Sequence, residues 1–351
     1  MVPAPADCTD RPPSAPTAGG SRIAREAGPE RPRHRVVVSP KDFVRARGDL
    51  WFAVLSEQLE DTRVLAFLRY ARDRQGHWQK TDSIRADALM QRIAPHYLYH
   101  CTRLDTRLHG IPHHEIDEVM RPRAAARRLI VVPDPDPVQR AAIKAIKLLR
   151  RGGVPAGRLG VTGSLMLGLQ GPRSDVDLVI YGREHFHIAR RLVAETLKTA
   201  AASSLTMALW RDAYARRRCS LRFPDYLRHE QRKLNKFSVD SVKIDISMVL
   251  APADKKADLF GPCRKAGRGT ITARVTDDRY AFDLPARYPV EHDEIEEIVA
   301  CTHTYAGQAR AGERVTASGV VEVDDRGRRR LVVGTSREAG GEYLRVVEWR
   351  S

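Results

Sequence analysis

The stretch from Leu159 to Val179 leaves little freedom in how the chain around it can fold. A short apolar run, Leu159-Gly160-Val161-Thr162, meets Gly163-Ser164 and then a brief apolar turn, Leu165 to Leu169, which Gly171-Pro172 breaks. After ten intervening residues Ser164 is followed by Asp175-Val176-Asp177-Leu178-Val179, alternating polar and apolar as a half-buried strand does. Carboxylates two positions apart on a strand share a face. Glycine at the turn permits close backbone approach, and N–H groups at such a turn attract phosphate. Magnesium takes its oxygen ligands from carboxylate, phosphate and water, so Asp175 and Asp177 are candidate ligands of a shared pair of ions. A third carboxylate belongs on a neighbouring strand. Val242 to Met248 alternates cleanly: Ile244 and Ile246 face a core, which sends Asp245 to the accessible side, with Asp240 as the competing carboxylate.

The flanks fit an α+β chain in four parts. Residues 1–35 are rich in Pro, Ala, Gly and Arg and poor in large apolar residues, a composition expected to stay disordered. Residues 36–133 read as a small α+β domain. Its apolar runs at Leu50–Leu55 and Val64–Tyr70 predict strands, 82–93 a helix capped by Asp82, and Tyr97-Leu98-Tyr99 a further extended piece. Trp51, Phe52, Phe67 and Tyr70 are expected in its core. A Pro-Asp-Pro-Asp-Pro linker at 133–137 leads into a catalytic domain over 134–255. There Asp136 and Pro137 open a helix that Gly152-Gly153 close, and a second amphipathic helix follows over 184–201. Residues 256–351 carry only strand-like segments (269–277, 279–284, 295–303, 313–323, 328–335 and 343–349), which predicts a small C-terminal β-barrel, OB-like in the leading reading.

In its order and spacing, Gly163-Ser164 followed by Asp175-Val176-Asp177 resembles the signature of the polymerase-β-type nucleotidyltransferase superfamily. That resemblance covers residues 134 to 255 and implies a polymerase-β-like fold with a mixed sheet. It also implies transfer of a nucleoside monophosphate from an NTP to an acceptor hydroxyl, with two Mg²⁺ ions or Mn²⁺ in their place. Carried over residue by residue, Gly163 and Ser164 hold the triphosphate, Asp175 and Asp177 bind both metals, and Asp245 ligates one and helps activate the acceptor. From about residue 40 to the end, the chain is also similar to prokaryotic nucleotidyltransferase-domain proteins at Val64–Tyr70, at His229-Glu230-Gln231-Arg232-Lys233 and at Thr302–Gln308. It lacks the helix-hairpin-helix module of processive polymerases.

A net charge of +16 favours polyanionic partners, although arginine-rich coding bias contributes to it. The stretch 210–236, with Arg216-Arg217-Arg218 and the interleaved Trp210, Tyr214, Phe223 and Tyr226, is a candidate contact for an acceptor's phosphates and bases, against the alternative of a solvated helix face. Within it, Arg232, Lys233 and Lys236 are candidates to neutralise the triphosphate. His109, His113, His114 and Glu115 are metal-ligand types, but Pro112 interrupts them and a plain surface or partly buried role is favoured. Thr302-His303-Thr304-Tyr305 is either a base-stacking edge or, the preferred reading, a hydrogen-bonded β-corner. Five scattered cysteines exclude a disulfide framework and a zinc ribbon. With no apolar run long enough for a membrane span and no signal peptide, a cytoplasmic protein with no membrane partner is expected. A nucleic acid acceptor is the first expectation. A protein or small-molecule acceptor, or a catalytically idle nucleic-acid-binding protein, stay open. The oligomeric state is not legible.

Overall fold

Three sheets carry the chain. The computed structural model describes residues 36–47, 49–102, 105–199, 202–254, 262–336 and 339–349, so the segment 1–35 read as disordered lies outside the described residues.

The first sheet has seven strands: β1 (Phe43–Ala46), β2 (Leu50–Val54), β3 (Arg63–Arg72), β4 (Trp78–Lys80), β5 (Leu98–Cys101), β6 (Thr106–Pro112) and β7 (Ile116–Met120). They run in the order β5-β6-β3-β2-β1-β7, with β4 added to β3. Helix α1 (Ser83–Ile93) begins where expected, because the Asp82 side chain accepts the Arg85 N–H at 2.9 Å. Trp51, Phe52 and Tyr70 are buried, while Phe67 is exposed. His109 is fully buried: its Nδ1 accepts the Leu68 N–H at 2.9 Å and its Nε2 meets Asp87 at 3.0 Å. Both ring nitrogens are thus engaged, and Glu115 instead pairs with His96, Tyr97 and Arg47.

After α2 (Pro122–Leu129), which the sequence pattern does not announce, comes α3 (Pro137–Arg151). It starts with a full capping box between Asp136 and Gln139. Its buried stripe of Val138, Ala141, Ala142, Ala145, Ile146 and Leu149 covers the second sheet, formed by β8 (Leu159–Thr162), β9 (Val176–Tyr181), β10 (Lys236–Val239) and β11 (Val242–Val249) in the order β10-β11-β9-β8. The turn α4 (Gly163–Leu167) joins β8 to β9. Strands β9 and β11 are parallel, so a crossover must join them. It consists of α5 (Arg183–Thr196), α6 (Met207–Arg217), α7 (Phe223–Lys233) and β10. Gly160 is needed where α2 crosses β8, since a Cβ there would lie 2.7 Å from Pro122. Phe43, Trp51 and Tyr70 share this sheet's core, which welds the first sheet to the second.

The third sheet comprises β12 (Cys263–Val275), β13 (Ala286–Glu291), β14 (Glu297–Ala300), β15 (Arg314–Asp324), β16 (Arg329–Val333) and β17 (Tyr343–Glu348). Pairing runs β12-β13-β14-β16-β15, β15 pairs back onto β12, and β14 with β16 is the parallel pair. The strand expected over 279–284 is instead a run of turns, with Ala281 N–H bonded to Asp278 and Asp283 N–H to Tyr280, and β13 starts at Ala286. The aromatics of the 210–236 stretch also fall differently from their expected role. Trp210 and Tyr226 are buried against this sheet's apolar face with Tyr214 and Phe223 packed beside them, so they are core, not a platform for bases. The Thr302–Tyr305 segment is a buried corner: Tyr288 Oη donates to the Tyr305 carbonyl at 2.6 Å and Tyr305 Oη to that of Glu342 at 2.7 Å.

Helix α7 is anchored by ions as well as apolar packing. Glu230, 2% exposed, takes Lys233 at 2.5 Å on one oxygen and Lys236 at 2.6 Å on the other. Lys233 also donates to the Thr304 carbonyl at 2.7 Å, tying the helix to the corner of the third sheet. Removing the carboxylate strands two buried ammoniums, so Glu230→Ala is expected to lower unfolding free energy by about 3–5 kcal/mol in denaturant titration. A loss below about 1 kcal/mol, the level of an exposed pair, would contradict this account.

Candidate active site

Pairing of the second sheet brings distant side chains into one row. Asp177 on β9 stands directly beside Asp245 on β11, with Thr162 on the outer neighbour β8 and Lys236 on β10. Asp175 immediately precedes β9. Asp240, the competing carboxylate, sits in the β10–β11 turn and pairs with Lys144 at 2.8 Å, away from this row.

Gly163 takes a φ of 70°, and a Cβ there would lie 2.8 Å from Asp177 Oδ2. The backbone turn therefore packs against the carboxylate, an approach that a side chain would block. Ser164 is half-buried and in hydrogen-bonding contact with the Tyr70 hydroxyl from the first sheet.

Three carboxylates this close repel one another. Burial, then the charges of Asp175 and Asp245, push the Asp177 carboxyl above its usual range. Lys243, 6% exposed, lies between the other two, 2.7 Å from Asp245 Oδ2 and 3.0 Å from Asp175 Oδ2. Burial works to raise the Asp175 carboxyl, but Lys243, with Arg216 at 3.4 Å, overrides it and brings it down to about 2. The Lys243 ammonium gains correspondingly: burial lowers it, and Asp245 and Asp175 more than compensate.

Further cations arrive from outside the second sheet. Lys41, just ahead of β1, receives the Thr162 hydroxyl on its carbonyl at 2.9 Å and contacts His303 Nε2 at 2.6 Å through its ammonium. Burial brings that ammonium down to about 8, against the pull of Asp177. The Lys41 charge, followed by burial, holds His303 well below its usual value, so the ring is neutral and accepts the ammonium proton at Nε2. Lys80 and Arg69 also act on this charge set: burial, then Arg69, lowers Lys80 while Asp175 and Asp177 raise it. Lys41, Arg69, Tyr70 and Lys80 were not legible as site residues, and His303 only as part of a β-corner or base-stacking edge, because the elements that bear them meet β9 only through tertiary packing.

Arg232 and Lys233 are engaged elsewhere. Arg232 pairs with Glu313 at 2.8 Å and packs on Trp349, and Lys233 is committed to Glu230 and Thr304.

Known proteins share parts of this sequence. Residues 130–251 match the nucleotidyltransferase domain family. Over 334 residues the chain is 30% identical to the uncharacterized protein MJ1086 of Methanocaldococcus jannaschii, an alignment covering 87% of this chain and 98% of that protein. The chain belongs to the nucleotidyltransferase-domain family. No solved structure matches it. Membership implies a nucleoside triphosphate substrate and a transferase, and divalent metal is typical of the family. No helix among the described residues is long and apolar enough to cross a membrane. Cys219 and Cys301 are free thiols.

Among the described residues, no group of three or more His, Cys, Asp or Glu side chains forms a ready-made metal centre. The carboxylate row nevertheless suits a cation. Asp245 Oδ1 is buried with no hydrogen-bond partner, and the mutual repulsion at Asp177 is what a divalent ion would relieve. Lys243 holds part of that place with its ammonium. Removing it in Lys243→Met should tighten Mn²⁺ binding about tenfold in calorimetry, as expected when a competing charge-assisted contact disappears. Unchanged or weaker Mn²⁺ binding by a folded variant would refute competition between lysine and metal.

Proposed function

We propose that this nucleotidyltransferase moves a nucleoside monophosphate from an NTP to a hydroxyl of a nucleic acid, using Mg²⁺ at Asp175, Asp177 and Asp245. The observation that carries the proposal is the in-register placement of Asp177 beside Asp245, with the Gly163 turn packed on Asp177 and Asp175 joined to Asp245 through Lys243. In the reaction an acceptor oxygen forms a bond to the α-phosphorus, the bond from that phosphorus to the bridging oxygen breaks, pyrophosphate leaves, and the acceptor proton passes to solvent, directly or by way of Asp245. Divalent ions at the three carboxylates would neutralise the phosphates and polarise the α-phosphoryl group.

The chain's own groups supply position and charge. Gly163 and Ser164 offer backbone and hydroxyl to the triphosphate. Lys41, Lys80 and Arg216 take the neutralising role read for Arg232 and Lys233, since their charges act on the carboxylate row, and Arg69 adds positive charge beside Lys41 and Lys80. Asp245 Oδ1, buried and without a partner, is suited to accept a hydrogen bond from the acceptor hydroxyl or a ligand water. Catalysis on this account comes mainly from orientation and charge compensation.

The division into residues 36–133, 134–255 and 256–351 belongs to the same proposal, supported by the three separate sheets. The third part is proposed as an OB-like barrel, on the strength of the β12-β13-β14-β16-β15 path that returns to β12. Barrels of that kind bind oligonucleotides. Together with the charge of +16, this supports a nucleic acid acceptor.

The test supplies each α-labelled NTP with Mg²⁺ or Mn²⁺ to the protein and a panel of tRNA, other RNA, DNA and cell lysate. Label is expected on nucleic acid, and Asp175→Asn and Asp177→Asn should each reduce transfer by about 100-fold or more with folding intact. Label confined to protein or a small molecule would overturn the acceptor, and equal transfer by the variants would overturn the site. A pH profile tests Lys41. Its charged form binds phosphate, so kcat/KM for the nucleotide should fall as pH rises through about 8. Lys41→Arg should carry the activity to higher pH, whereas the same fall in Lys41→Arg would remove Lys41 from the triphosphate site.

A further inference from the structure

A second concentration of positive charge lies apart from the carboxylate row. Where α5 and α7 meet the turns of the third sheet, a cavity of about 160 Å³ is lined by His187, Arg190, Arg232, Asp278, Phe282 and Arg310, among others. None of Asp175, Asp177 and Asp245 lines it.

Arg190 is rigidly placed. Its Nε donates to the Lys233 carbonyl at 2.7 Å, one terminal nitrogen lies 3.3 Å from His187 Nδ1, and its guanidinium carbon is 4.0 Å from the Phe282 ring centre. Among the described residues no carboxylate forms an ion pair with it. Burial, then the charge of Arg310, lowers the Arg190 guanidinium to about 10, with Asp278 opposing and Arg232 adding. Burial and the charge of Arg190 also hold His187 below its usual value, so its ring is neutral. With Nδ1 turned to Arg190, the ring carries its proton on Nε2 as a donor. Phe282 forms an apolar wall, and Arg232 is fixed by Glu313 and Trp349. Arg310 is exposed at the rim.

Positive groups fixed by packing around a small space, with too little acid to compensate, describe an anion site. Its volume is well under the roughly 300–1,000 Å³ of sites that enclose a whole small molecule, so one phosphate group is the fitting occupant. Guanidinium matches phosphate by paired N–H donors. The +16 charge makes a polyanion the partner that would bring such a group. We propose that this Arg190–Arg232–Arg310 pocket binds a phosphate of a nucleic acid strand, as a contact separate from the nucleotidyl-transfer site. The assignment concerns binding alone and does not depend on the transfer reaction.

The test uses the full chain and a twelve-nucleotide RNA with a 3′ fluorophore, prepared with a 5′-phosphate or a 5′-hydroxyl, and inorganic phosphate as competitor. Anisotropy titrations would compare the parent with Arg310→Ala and Arg190→Gln, while calorimetry follows Mg-NTP binding. Each variant should weaken RNA binding about tenfold and reduce the salt slope by about one, with Mg-NTP binding unchanged. A preference for the 5′-phosphate would place a terminal phosphate in the pocket, and equal affinities a backbone phosphodiester. Should Arg190→Gln fail to fold, Arg310→Ala, changed at the exposed rim, decides the matter alone. RNA affinity unaltered in Arg310→Ala would overturn the proposal. So would failure of the parent to bind RNA, whether or not inorganic phosphate binds in an Arg310-dependent way in calorimetry.

Discussion

Mutual repulsion among Asp175, Asp177 and Asp245 is the constraint around which the rest is arranged. Parallel pairing of β9 with β11 holds Asp177 and Asp245 side by side, and the start of β9 adds Asp175. Like charges so placed in a partly dry setting require counter-charge. The fold supplies it from several directions: Lys243 from the same face of β11, Arg216 from α6 and Lys41 from the turn ahead of β1. This balance stops short of full compensation, since Asp177 stays raised and Asp245 Oδ1 stays unpartnered. A site with that residual deficit is suited to a divalent ion and a triphosphate, which bring opposite charges together.

The surrounding architecture follows from the need to deliver those cations. Phe43, Trp51 and Tyr70 merge the first sheet with the core beneath β9, which places Lys41 and Tyr70 beside the Gly163 turn. The third sheet reaches the same place through His303, while Lys233, held by Glu230, bonds the neighbouring Thr304 carbonyl. Changes in the packing of either flanking sheet would therefore be felt at the carboxylate row. The packed helices α6 and α7 serve as the mechanical link, with Trp210 and Tyr226 buried on one side and Arg216 turned to Asp175 on the other.

Much of the local structure was legible because its causes are local. Asp136 caps α3 and Asp82 caps α1 through contacts spanning three residues, so the signal lies in adjacent sequence. The alternation of Val242 to Met248 correctly assigned Ile244 and Ile246 to the core and Asp245 to the opposite face. Helix α2 carries no such local signal, because it is held by packing on β8, where Gly160 admits Pro122. The aromatics of 210–236 misled for a related reason. Their spacing beside arginines is the same for a base platform and for a buried helix face, and only the presence of the third sheet decides between them.

The sequence by itself determined the core of the candidate site: a glycine turn, an aspartate at the start of one strand and another within it, and a third on an alternating strand, all set by periodicity and steric need. Tertiary structure decided which charges surround that centre. Lys41 and Lys80 lie far from Asp177 in the chain with nothing in their own neighbourhoods to mark them, and the Thr302–Tyr305 segment carries no sign that His303 meets Lys41. It likewise gathered Arg190, Arg232 and Arg310 from α5, α7 and a turn of the third sheet into one cavity. Electrostatic interactions act through space over several ångströms, whereas the patterns readable along a chain report only what neighbours within a few residues impose.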